Sequence, residues 1–164
     1  MIPIVSIVGK SGTGKTTLLE GLIVELRRRG YRVAVVKHDV HNFEIDLPGK
    51  DSWRYAQVGS DVVVISAPRK LALIKRLERE MALDEIAALV PEVDIILTEG
   101  YKRGKAPKIE VSRRARSDEL LCRADELIAI AADQSFDLDV PQFGLDDVAG
   151  IADLLEERFL KGEG

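Results

Sequence analysis

The chain has 164 residues, 46% hydrophobic and 32% charged, with a formal net charge of −4; that describes a globular protein able to bury a core as one domain. The acidic balance implies no broad attraction to nucleic acid or to an anionic membrane surface, and leaves only local basic patches for such contacts. The single cysteine, Cys122, excludes an intrachain disulfide and fits a reducing, cytoplasmic setting, and no apolar run approaches the ~20 residues needed to span a bilayer.

The opening MIPIVSIVGKSG has no basic n-region or small-residue cleavage site and is not read as a signal peptide. Residues 4–8 are apolar on both faces and predict a strand buried on both sides. After a glycine-rich stretch, Leu18, Leu19, Leu22, Ile23 and Leu26 recur at helical spacing. Arg27, Arg28 and Arg29 complement the negative end of that helix, and Gly30 can supply a left-handed cap. Residues 33–36 predict a second strand, and the polar loop 42–50 is expected to move. Residues 51–58 predict a short helix ended by Gly59. A third both-sides-buried strand is expected at 62–65, then an edge strand at 71–74 and a helix over 83–90, stopped before Pro91. Strands follow at 94–98, at 108–111 (read as an edge) and at 127–131, with a second mobile loop at 101–107. The last helix is expected over 145–159, with Val148, Ile151, Ala152, Leu155 and Phe159 on one face and Asp146 and Asp147 in its first turn. This alternation predicts one domain over residues 1–164: a doubly wound, mostly parallel α/β sheet with helices on both faces and extra edge strands. In such sheets ligands bind beyond the carboxyl ends of the strands, where Gly9, His38, Asp39, His41, Glu99 and Asp133 fall.

The sequence GKSGTGKT, Gly9 to Thr16, has the G-x-x-x-x-G-K-[ST] form between a predicted strand and a predicted helix, the context a phosphate loop requires. Gly12 and Gly14 let the backbone wrap a phosphate, and successive N–H groups and the helix N-terminus face the anion. Lys15 reaches terminal phosphates, the Thr16 hydroxyl can ligate Mg²⁺, and Thr17 is placed to bond an inner phosphate. KSGTGKT also resembles the deviant phosphate loop of the SIMIBI class of nucleotide-binding proteins, although Ser11 stands where partition ATPases usually have glycine. That resemblance implies that Lys10 reaches the nucleotide of an opposite subunit; the alternative is a solvated loop lysine.

VDIILTEGYKRG ends a strand in Glu99-Gly100. Glu99 is the carboxylate expected near Mg²⁺, directly or through water, whereas Asp94 begins the strand at the far edge of the sheet. Gly100 would let the backbone approach a terminal phosphate. Lys102, Arg103, Lys105 and Lys108 form either a contact for an anionic partner or a solvated basic loop. The HDVH stretch admits three readings: a Zn or Ni site on His38, Asp39 and His41, a nucleotide or substrate contact, or polar loop structure. The SIMIBI resemblance implies that Asp39 contacts Mg²⁺ or orients the attacking water.

VVKHDVHNFEIDLPGKDSWRYAQVGSDVVVIS and ILTEGYKRGKAPKIEV resemble the second and third segments of the molybdopterin-guanine dinucleotide biosynthesis protein B (MobB) family, and VPQFGLDDVAGIADLL resembles its ending. The resemblance implies a homodimeric, GTP-binding, slow GTPase. It would assist the MobA nucleotidyltransferase, which joins GMP to molybdopterin. It maps Lys10, Ser11, Gly12, Thr13, Gly14, Lys15, Thr16, Thr17, Asp39, Asp46, Glu99 and Gly100 onto a nucleotide and Mg²⁺ site. In that mapping Lys15, Asp39 and Glu99 are catalytic, and Thr16, Asp39 and Glu99 hold the metal. Asp46, Gly49, Lys50 and Asp51, with His38 and His41, would meet substrate or partner; the residues alone equally describe a turn on Pro48-Gly49. No N-K-x-D motif follows any strand, so the candidate for reading guanine is Asp133, and the residues alone do not choose GTP over ATP. The competing functions are a phosphotransferase with a lid on Arg113, Arg114 and Arg116, a non-hydrolysing nucleotide-binding adapter, and metal insertion. A role on DNA fits the acidic chain least, and Cys122 reads as a small buried hydrophobe.

Overall fold

The computed structural model describes residues 1–38 and 43–161. It divides into two compact units, Met1–His38 with Ala87–Gly164, and Asp39–Ile86. The larger unit holds a six-stranded sheet whose pairings are all parallel. Its strands are β1 Ile4–Val8, β2 Val33–Lys37, β5 Ile95–Glu99, β6 Lys108–Ser112, β7 Leu127–Ala132 and β8 Gln142–Phe143, in the order β2-β5-β1-β6-β7-β8.

The period-2 alternation of these strands divides their side chains between two faces. Val5, Ile7, Ile95, Leu97, Ile109, Val111, Ala129 and Ala131 meet Leu18, Leu19, Leu22 and Leu26 of α1 (Lys15–Arg28) and Ile151, Ala152 and Leu155 of α4 (Val148–Leu155) in one core. Fully burying a leucine such as Leu22 or Leu26 is worth about 1.5–3 kcal/mol. The two helices also pack on each other at Gly21, where a Cβ would lie 2.7 Å from a Val148 methyl. A second cluster joins Leu127, Ile130 and Ala132 to Leu120, Cys122, Phe136 and Val140. Helix α1 ends as its sequence dictates. Gly30 (φ 96°) donates to Arg27 O and Tyr31 to Leu26 O, the paired bonds that close a helix on a left-handed glycine. Helix α4 starts later than 145 because the Asp147 side chain accepts from Gly150 N (3.0 Å) as its cap, and it continues as a π-helical turn over Glu156–Leu160.

The smaller unit contains α2 (Asp51–Gln57) and an antiparallel hairpin of β3 (Val62–Ala67) and β4 (Lys70–Lys75) joined through Pro68-Arg69. Its only buried hydrophobe among the described residues is Val63. Helix α3 is short, Leu83–Ala87.

Three expectations are corrected. Residues 62–65 are not a strand of the parallel sheet; they pair antiparallel with residues 72–75 in a separate sheet. A β-branched apolar run looks the same in a hairpin as in a sheet centre, and the two-residue turn at Pro68-Arg69 emerges only once both strands extend beyond the apolar runs. Residues 71–74 accordingly belong to that hairpin rather than to an edge of the main sheet. Residues 108–111 are not an edge either: β6 lies between β1 and β7 and is buried along its length. Its two charged residues are each paired inside. Lys108 Nζ donates to Gly104 O (2.7 Å) and Glu126 Oε1 (3.0 Å), and Glu110 accepts from Leu121 N (2.6 Å) and Cys122 N (2.9 Å).

Candidate functional site

The turn from β1 into α1 takes Gly9, Gly12 and Gly14 through positive φ (149°, 74° and 107°). Gly9 has no alternative, because a Cβ there would lie 2.3 Å from Val111 O. Gly14 caps α1 without a side-chain acceptor, and the first helical turn holds no acidic residue. The leading N–H groups of α1 thus have no side-chain cap, at the positive end of the helix dipole, the arrangement that suits an anion. Ser11, Gly12, Thr16 and Thr17 are exposed.

The loop is braced from within. Thr13 is buried and donates to Lys10 O (3.0 Å), and Lys15 Nζ donates to the same carbonyl (2.9 Å). Partial burial pushes the Lys15 ammonium below its ordinary pKa; Glu99 opposes that shift and Lys102 adds to it.

β5 lies between β1 and β2, with Glu99 in register with Ile7 and Lys37. This sets its carboxylate beside the phosphate loop, where Thr16 Oγ1 donates to Glu99 Oε1 at 3.3 Å. Asp94 sits at the other end of the strand, paired with Arg32 (3.1 Å), as its position in the sequence predicts. Gly100 adopts φ 100°, and a Cβ on it would meet His38 Cβ at 3.3 Å. His38 follows β2, donates its N–H to Glu99 O (3.0 Å) and sets its ring 4.5 Å from that of Tyr101. Asp39 and His41 lie outside the described residues. Among those described, no group of three His, Cys, Asp or Glu side chains could hold a metal ion.

Asp46, Gly49, Lys50 and Asp51 fall together in the smaller unit. Ser52 Oγ and Leu47 N donate to the Asp46 carboxylate and, with Lys50 nearby, hold its pKa below the ordinary value. Gly49 turns at φ 89°, and Asp51 begins α2.

Beyond the other flank of β1, Asp133 follows β7 and accepts from Arg114 N (2.7 Å). The adjoining Arg113 and Arg116 reach the phosphate loop. Arg113 Nε donates to Thr13 O at 3.4 Å, and a Cβ on Gly12 would lie 3.0 Å from Nε and Nη2 of Arg116. The sequence pointed to these arginines only as the lid of a competing phosphotransferase. Lys108 is buried and does not belong to the surface basic cluster with Lys102, Arg103 and Lys105. No helix of the described residues is long and apolar enough to cross a membrane.

A family model described as molybdopterin guanine dinucleotide synthesis protein B matches residues 4–133. The molybdopterin-guanine dinucleotide biosynthesis adapter protein of Escherichia coli K12 is 36% identical over 171 residues, covering 100% of this chain and 97% of that protein. Its Haemophilus influenzae counterpart is 36% identical over 157 residues, covering 94% and 88%. Among solved structures, Bacillus subtilis MobB aligns with a TM-score of 0.79 at 30% identity over 99% of this chain and 100% of that one. A crystal structure of molybdopterin-guanine biosynthesis protein B aligns at 0.73 and 32% identity, covering 94% and 98%.

Proposed function

This chain belongs to the molybdopterin-guanine dinucleotide synthesis protein B family, and we propose that it is a GTP-binding adapter and slow GTPase assisting a MobA-like nucleotidyltransferase that attaches GMP to molybdopterin. Its part in molybdopterin-guanine dinucleotide biosynthesis follows the adapter proteins it resembles over nearly their whole length. The nucleotide step rests on one observation: a glycine-wrapped turn leads into a helix whose first N–H groups have no side-chain acceptor, with Lys15 held across it.

The loop's amides and Lys15 hold the terminal phosphates. Thr16 Oγ1 and Glu99 Oε1, 3.3 Å apart, are hard oxygen donors that suit Mg²⁺. When bound, Mg²⁺ neutralises charge on the phosphate oxygens. Asp39 orients water, and Asp133 reads the guanine edge while one of its oxygens keeps the Arg114 amide. His38, His41, Asp46, Gly49, Lys50 and Asp51 serve pterin or partner. The setting is cytoplasmic.

The protein works as a homodimer. The hairpin bares Val62, Val64, Leu71 and Leu73 at 42%, 53%, 65% and 57% exposure, all on one face by register, and an isolated two-stranded sheet is marginal in water. A second copy is the occupant that fits a self-complementary apolar ribbon.

The test is equilibrium titration of GTP, ATP and GDP with Mg²⁺ into the wild type and Lys15→Ala. Preference for GTP, lost in the variant, is the expected result; identical behaviour of the two proteins rejects the reading.

A further inference from the structure

The segment after β6 is a built turn. Arg116 N and Ser117 N both donate to Arg113 O (2.8 and 3.0 Å). Asp133 holds Arg114 N (2.7 Å), and Gln134 Nε2 bonds Ser112 Oγ (3.2 Å) and Ser117 O (2.8 Å). Lys10 Nζ donates to Ser117 Oγ (2.5 Å), which ties the turn to the phosphate loop itself. These bonds hold the stretch of backbone that carries Arg113 and Arg116.

Arg113 donates to Thr13 O (3.4 Å), and its Nη2 would lie 3.6 Å from a Cβ on Gly14. For Arg116 the contact is flat. A Cβ on Gly12 would fall 3.0 Å from Nε, 3.0 Å from Nη2 and 3.1 Å from Cζ, so the plane of the guanidinium covers the bare face of Gly12. The φ of 74° favours glycine at position 12, and the arginine lies where a side chain would otherwise stand. The Arg116 side chain makes no hydrogen bond or ion pair among the described residues. An exposed arginine ordinarily turns to water or to a carboxylate; this one lies on an eight-residue loop that contains two lysines and no acid.

β1 is flanked by β5 on one side and β6 on the other. Glu99 ends β5, so the carboxylate–threonine pair suited to a cation stands on one flank of the loop, and the guanidinium pair stands on the other. A polyanion seated on the loop would meet a metal on the first flank and arginine on the second. Guanidinium suits this second role, because its planar fork matches two phosphate oxygens and stays charged at every working pH.

We propose that Arg116 is a phosphate-contacting residue of the nucleotide site, supplied in cis across Gly12, with Arg113 as the positioning residue that braces the loop through Thr13 O. The proposal rests on the nucleotide reading above and adds to it a specific ligand contact outside the G-x-x-x-x-G-K-[ST] motif. Lys10, spent on Ser117, helps place the turn within its own chain.

The experiment titrates Mg²⁺-GTP and Mg²⁺-GDP into full-length wild type, Lys15→Ala, Arg116→Ala, Arg116→Lys and Arg113→Lys, each at low and raised salt. Loss of a charge-assisted bond to phosphate is expected to weaken binding to Arg116→Ala about tenfold or more and to flatten its dependence on salt. Arg116→Lys recovers part of the loss, since the charge returns without the fork, and the thermal midpoint of unliganded Arg116→Ala stays at the wild-type value. Arg113→Lys keeps the charge but shifts the loop, so it weakens GTP and GDP alike while preserving the wild-type salt slope. If Arg116→Ala binds like wild type while Lys15→Ala does not, the arginine contact is overturned and the nucleotide reading stands. If the wild type itself binds neither nucleotide, both fall together.

Discussion

Gly9, Gly12 and Gly100 all take positive φ, and each meets a different neighbour. Gly9 answers to a carbonyl, Gly12 to a guanidinium and Gly100 to the Cβ of His38. The flexible end of Arg116 can move aside for a methyl group, whereas Val111 O is main chain within β6 and cannot. Gly9→Ala is therefore expected to destabilise the fold by about 1–3 kcal/mol, the range for overpacking a filled space, measured by urea unfolding; Gly30→Ala, with no atom within 4 Å, carries the φ strain alone and costs less. An equal loss for both would show that the Val111 contact does not matter. The phosphate loop was legible at this scale because a short motif lies wholly within one stretch of chain. Arg116 was not, because its role depends on which strand neighbours β1, and that is a property of the sheet.

Between elements, Arg29 shows the same limit. Its position near the end of α1 reads as a complement to the helix dipole. In the structure it also joins α1 to the last helical segment, donating to Glu25 Oε1 (2.8 Å), Asp153 Oδ1 (2.7 Å) and Glu156 Oε2 (2.7 Å). The Arg28 and Arg29 side chains hold the Glu25 carboxyl down to about 2. A carboxylate with a depressed folded pKa stabilises above its unfolded pKa and loses that contribution as pH falls through the folded value. The Glu25 contribution is thus present above about 4.5 and declines between about 4.5 and about 2. Glu25→Gln should lower the thermal midpoint at pH 7, with the difference from wild type shrinking as the pH approaches 2; a constant difference across that range would contradict the assignment. Helix α1 could be read to its last residue because Leu26, Gly30 and Tyr31 close it locally. The central place of β6 was not legible in a run of five residues, because Lys108 and Glu110 draw on partners as far as 18 and 12 residues away in sequence.

At the scale of the molecule, the smaller unit is the exception. It buries one hydrophobe among its described residues and exposes an apolar ribbon, while the larger unit buries one core beneath α1 and α4 and a second, smaller cluster around Ile130. Sedimentation should find a dimer in the wild type, and Val64→Asp with Leu73→Asp, opposed across the hairpin, should shift it to monomer; a monomeric wild type would contradict the homodimer. The central claim is that the glycine-rich loop of the larger unit seats a polyphosphate. It is tested most directly by a crystal structure with Mg²⁺ and a non-hydrolysable GTP analogue at saturation. The account predicts terminal phosphates seated on residues 9–16, Lys15 Nζ on a phosphate oxygen, and the cation beside Thr16 and Glu99. A saturated protein with the analogue bound elsewhere, and the loop still closed on its own carbonyl, would contradict it.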